Sequence, residues 1–194
     1  MRYRIAIFAS GNGTNAEAII RHFKNHPSIS VALVLTNNET ARVLDRAAMH
    51  GIPSIVFSRT EFTQTQLVVE KLRLFEVTHL VLAGFLWMIP THLLQAYPGK
   101  IINIHPSLLP DFGGKGMYGL KVHQAVVDAG VSQTGISIHL VNEHYDEGKL
   151  LFQAKCPVHK GEQPQQVAER VHALEYQHYP VVIEQWIQDS ITSL

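Results

Sequence analysis

Apolar residues in this chain follow two alternating rhythms. Short, nearly continuous apolar runs stand at 3–9, 29–36, 52–57, 80–83 and 101–104, the signature of buried strands. Between them apolar positions recur three or four apart, as in Ala16, Ile19, Ile20 and Phe23, and later Leu67, Val68, Leu72 and Phe75. That spacing predicts helices over 16–23, 41–50 and 61–75, the second stopped by Gly51. Strand and helix in repeated succession imply a parallel sheet covered on both faces. The rhythm changes after the helix predicted over 121–128. Thr134–Leu140 alternates, with Ile136, Ile138 and Leu140 on one side and Ser137 and His139 on the other, so a half-exposed strand is expected. Leu150–Ala154 is its antiparallel partner. A long last helix opens at Gly161–Pro164 and carries Val167, Val171, Leu174, Val182 and Ile183, with Pro180 expected to kink or restart it. The prediction is a three-layer α/β fold, its sheet mostly parallel with an antiparallel C-terminal part. In such sheets ligands bind beyond the carboxyl ends of the strands.

Composition narrows the partners. The 194 residues suit a single domain over 1–194. Acidic and basic residues number 16 each, which argues against nucleic acid or an anionic membrane and for small-molecule substrates. Cys156 is the sole cysteine, so no intrachain disulfide is expected and a reducing compartment fits. The apolar run at the amino terminus is too short for a signal peptide or a membrane span, and a cytoplasmic location is expected. The 12 histidines include no Cys/His cluster at ligand spacing, so no metal is expected.

Candidate chemistry collects where the rhythm breaks. Ile101–Pro110 begins as a strand that Pro106 must end, and the period of two puts Asn103 and His105 on one face at its carboxyl end. Ser10–Asn15 is a loop between strand and helix, able to offer free backbone N–H groups and a helix dipole to an anion. It is neither a dinucleotide fingerprint nor a P-loop, and an ordinary capped turn explains it as well. Phe85–Ile89 is apolar where a loop should be polar, which suits core padding or a slot for a flat cofactor. Asp111–Gly119 holds four glycines in nine residues, with Lys115 either solvated or facing a phosphate. Val141–Lys149 is a long polar connection containing Asp146, a turn residue or a functional one. Brought together, Asn103 could donate to an oxyanion, His105 move a proton and Asp146 orient the imidazole. No nucleophile accompanies them, which favours direct attack of one substrate on another. The residues alone go no further than acyl-group transfer to an amine.

At these positions the chain resembles the phosphoribosylglycinamide formyltransferase family, folate-dependent enzymes of purine biosynthesis with a Rossmann-like formyltransferase fold. The resemblance rests on Ser10–Asn15, Leu82–Phe85, Asn103–Pro110, Asp146 in its loop, and Glu175 with Tyr179-Pro180. It implies formyl transfer from 10-formyltetrahydrofolate to the amine of glycinamide ribonucleotide, with Asn103, His105 and Asp146 as the catalytic set. Gly13, Thr14 and Asn15 would hold the substrate phosphate, and Glu175 its ribose. Leu86, Trp87, Met88, Ile89, Asn103, Asn142, Glu143, His144, Tyr145 and Asp146 would form the folate pocket. By the same resemblance residues 1–100 make up the nucleotide-binding half and 101–194 the folate-binding, catalytic half, in a monomer or homodimer. Three features depart from the family pattern: Trp87 stands where an arginine is usual, the stretch from Pro110 to Gly119 is longer, and no arginine stands near Thr65 to meet the folate glutamate tail. Two other readings stay open, a different enzyme of the fold such as a formyltetrahydrofolate hydrolase, and a non-catalytic nucleotide-binding domain.

Overall fold

The computed structural model describes residues 3–192. The elements in order are β1 (Tyr3–Phe8), α1 (Thr14–Phe23), β2 (Ile29–Thr36), α2 (Val43–Met49), β3 (Ser54–Val56), α3 (Arg59–Gln64) and α4 (Leu67–Leu74). There follow β4 (His79–Leu82), α5 (Thr91–Ala96), β5 (Ile101–His105), α6 (Leu120–Asp128), β6 (Gln133–Leu140), β7 (Leu150–Pro157) and α7 (Pro164–Thr192). The strands form one sheet in the order β3-β2-β1-β4-β5-β6-β7. Pairing is parallel from β3 through β5, and antiparallel for β5 with β6 and β6 with β7.

Alternation along the central strands builds a core on each face. Ile5, Ile7, Val81 and Ile102 face α1 and α7, where Ile19, Val171 and Ile183 bury their side chains. Ala6, Phe8, Leu80 and Leu82 face the other way, onto Phe62, Val68, Leu72 and Leu93 of α3, α4 and α5. Because both faces are covered, these strands are apolar throughout, as their sequence indicated.

Three expectations need correction. The helix predicted over 61–75 is two helices, because Thr65 is extended at φ −127° and ψ 169°. Its hydroxyl donates to Glu61 O at 2.8 Å and accepts from Leu67 N at 3.2 Å, so a side chain replaces the helical ladder there. β6 is not half-exposed: Ser137 and His139 are buried. Both faces of this strand are covered, so alternation marks two different environments rather than core and solvent. Finally, α7 does not restart at Pro180 but continues through it as one helix. Tyr179, Pro180 and Ile183 are all buried, and the Tyr179 hydroxyl donates to Leu82 O at 2.8 Å, tying the helix to β4 beside the missing N–H.

Candidate active site

The carboxyl ends of β1, β4 and β5 open onto a cavity of about 660 Å³. At its centre stand Asn103 and His105, side by side on one face of β5. Opposite them in the antiparallel register are His139, paired with Asn103, and Ser137, paired with His105. His139 Nδ1 lies 2.8 Å from Leu140 O, an acceptor, so that nitrogen carries the proton. Its Nε2 is then free to accept from Asn103 Nδ2 at 3.2 Å. One N–H of the Asn103 amide is thus committed and the other is available. Sequence reading missed His139, since its alternation with apolar neighbours was equally compatible with a solvent-facing side chain. Only the cross-strand register brings it to Asn103.

Asp146 reaches this centre from the β6–β7 connection. Its Oδ2 is 3.4 Å from His105 Nδ1 and its Oδ1 is 3.6 Å from His139 Nε2. The Gly114 N–H also donates to Oδ2, at 2.9 Å. Burial works to raise the Asp146 carboxyl, but the His139 and His105 rings, which become donors and cations facing it when protonated, and the Gly114 N–H together hold it below the usual carboxylate range. The second nitrogen of His105, Nε2, donates to Phe112 O at 2.9 Å. Burial lowers the His105 pKa below the ordinary histidine value, against the opposing pull of Asp146 and the Phe112 carbonyl. The imidazole is therefore neutral at pH 7, with its proton on Nε2 and a basic Nδ1 beside a carboxylate.

The opposite end of the cavity is made of backbone. Gly13 precedes α1 at φ 70°, and a Cβ there would lie 2.6 Å from the Val43 side chain, so both conformation and space require glycine. No side chain caps α1, whose first residues Thr14 and Asn15 line the cavity with Gly13. Val43 N donates to Gly11 O at 3.1 Å and Arg46 Nε to Asn12 O at 2.7 Å, which fixes the loop from behind. Asn15 Nδ2 donates to Glu175 Oε2 at 2.8 Å, while Asn15 Oδ1 is buried without a partner among the described residues. Burial raises the Glu175 carboxyl, although the Asn15 bond opposes it. The sequence-predicted Gly13, Thr14, Asn15 and Glu175 therefore meet across 160 positions of chain.

Between these ends runs an apolar wall. Ser10 Oγ accepts from Leu86 N at 3.1 Å, tying the Phe85–Ile89 segment to the Ser10 loop. Leu86 and Met88 are exposed at the cavity, whereas Ile89 is buried. Trp87 packs edge-on to Phe57, with Arg59 5.2 Å over its ring. Asn142, His144 and Tyr145 line the far side. Glu143 does not: it is exposed and lies outside the lining. Among the described residues no group of three or more His, Cys, Asp or Glu side chains is placed to hold a metal, and no helix is long and apolar enough to cross a membrane.

A mixed α/β sheet with an amide, an imidazole and a carboxylate at its carboxyl edge defines a group-transfer class, and the formyl transferase family model matches residues 3–183. The chain belongs to that family. Among the proteins it is similar to are phosphoribosylglycinamide formyltransferases. That of Bacillus subtilis is 40% identical over 187 residues, covering 94% of this chain and 93% of its own. The chloroplastic enzyme of Vigna unguiculata is 40% identical over 98% of this chain, which spans only 62% of that relative's length; for the Arabidopsis thaliana enzyme the share is 64%. Among solved structures, phosphoribosylglycinamide formyltransferase from Anaplasma phagocytophilum superposes with a TM-score of 0.88 at 33% identity, covering 97% of this chain and 89% of that one. Glycinamide ribonucleotide transformylase 1 from Geobacillus kaustophilus gives 0.86 at 37% identity, covering 94% and 97%.

Proposed function

We propose that this protein transfers the formyl group of 10-formyltetrahydrofolate to the amine of glycinamide ribonucleotide, as a cytoplasmic step of purine biosynthesis. The observation that carries this reading is the meeting of Asn103, His105 and Asp146 at one end of a cavity whose other end is an uncapped helix amino terminus. A formyl donor with a flat ring suits the apolar wall at Leu86 and Met88, and a phosphate suits the first turn of α1. Glu175, buried and held by Asn15, suits an acceptor for a ribose hydroxyl. One folded unit over 1–194 fits a sheet whose two halves both line the cavity.

In this mechanism the amine nitrogen attacks the formyl carbon and the carbonyl electrons move onto oxygen. The free N–H of Asn103 donates to that oxyanion, a contribution on the order of 3 kcal/mol at the transition state. The amine proton passes to Nδ1 of His105, the basic nitrogen left by the Phe112 hydrogen bond, and Asp146 stabilises the resulting imidazolium. Collapse breaks the bond from the formyl carbon to N10 of the folate, and the proton returns to N10. Formyl and hydrogen have then exchanged places, with no covalent enzyme intermediate.

The test is to mix protein, glycinamide ribonucleotide and 10-formyltetrahydrofolate and follow release of tetrahydrofolate by absorbance. Release that depends on the amine is expected; release at the same rate without the amine contradicts the reading.

A further inference from the structure

The nucleotide end of the cavity has a charge problem. A phosphate monoester carries about −1.5 to −2 at neutral pH, whereas a helix amino terminus offers roughly half a positive charge. Asp146, whose carboxyl is held below the usual range, lines the same cavity and adds negative charge. Arg46, the guanidinium behind the Ser10 loop, is engaged by Asn12 O and by Glu17. Lys121 lies over the Tyr118 ring at 4.7 Å and reaches that residue's hydroxyl at 3.3 Å. Among the described residues that line the cavity, Lys115 is the one permanently cationic side chain.

Lys115 is also held in place. Two bonds fix the segment before it to the catalytic centre, His105 Nε2 to Phe112 O at 2.9 Å and Gly114 N to Asp146 Oδ2 at 2.9 Å. Met117 N then donates to Gly114 O at 3.1 Å, closing a turn with Lys115 at its second position. Gly116, at the third position, has φ 90°, as a type II turn requires. Beyond the turn the chain enters α6, whose His123 ring stands 6.2 Å from His172 of α7, one helical turn before Glu175. The loop thus runs from the end at His105 toward the end at Glu175, and among the described residues its lysine has no hydrogen-bond or ion-pair partner.

We propose that Lys115, presented by the turn at Gly114–Met117, is the residue that neutralises and positions the phosphate of the amine substrate. This rests on the function proposed above, and binding separates the two. Ribose 5-phosphate is titrated calorimetrically into the wild type, Lys115→Met and Lys115→Arg. A lost charge-assisted hydrogen bond predicts about tenfold or more weaker binding for Lys115→Met, and near-normal binding for Lys115→Arg. In turnover the loss should fall on KM for the amine substrate rather than on kcat, with KM for the folate unchanged. Equal ribose 5-phosphate binding by the wild type and Lys115→Met overturns the proposal. So does a loss confined to folate KM that grows with glutamate-tail length, which would assign the lysine to the formyl donor instead. Should amine-dependent formyl transfer fail in the wild type, the reaction assignment falls while the calorimetric comparison still decides the role of Lys115.

Discussion

The two ends of the cavity are built from different materials. At the end proposed for the nucleotide much of the lining is backbone, with Asn15 and Glu175 beside it: the loop before α1, a glycine that Val43 allows no replacement for, and N–H groups that no side chain caps. At the end proposed for formyl transfer the lining is side chains, Asn103, His105, His139 and Asp146, each oriented by another. A backbone site recognises a charge and a shape and changes little during a reaction. A side-chain site can move a proton and meet charge that appears only in the transition state. Binding and rate should therefore separate along the cavity.

Substitutions at the formyl-transfer end should produce the largest effects. His105→Ala and Asp146→Asn are each expected to lower kcat about a hundredfold or more with little change in nucleotide affinity, measured by steady-state kinetics beside equilibrium binding. Near-normal turnover in either variant would remove that residue from the proton path and blur the contrast. At the other end, Asn15→Ala should weaken nucleotide binding roughly tenfold, the cost of one buried hydrogen bond and the loss of Glu175's partner, with kcat much less affected. A loss in kcat alone would show that the two ends are not separable.

How far this contrast was legible in the sequence follows from the same materials. The period of two is enough to put Asn103 and His105 on one face of a strand, and the loop residues Gly13, Thr14 and Asn15 announce the turn into α1. The partnership of His105 with Asp146 could be proposed but not placed, since it spans a connection with no fixed geometry. His139 was misread because alternation cannot tell a buried polar face from a wet one. Phe112 O and Gly114 N, which hold His105 and Asp146, are backbone atoms and leave no mark on residue type. The break at Thr65 is a side-chain bond competing with a helix whose apolar spacing continues across it.

The smallest expected effect is on stability and concerns both ends through the scaffold. Burial lowers His79 and His123 to about 4, with Lys100 adding to the first and His172 and His105 to the second. An unfolded histidine titrates near 6.5, so between that value and about 4 the unfolded chain binds more protons than the folded one. The contribution of these two rings to stability is fully present above pH 6.5 and is lost as pH falls toward 4. Thermal unfolding should accordingly show a lower midpoint at pH 5 than at pH 7, and His79→Gln should reduce the difference. An unchanged midpoint across that range would mean that these rings are not held neutral.

The most direct test of the central claim follows the formyl carbon itself. With carbon-labelled 10-formyltetrahydrofolate and glycinamide ribonucleotide in a single turnover, the account predicts that the label appears on the glycinamide nitrogen at the rate at which tetrahydrofolate is released. Label recovered as formate instead would mean that water takes the amine's place beside Asn103 and His105, and would contradict it.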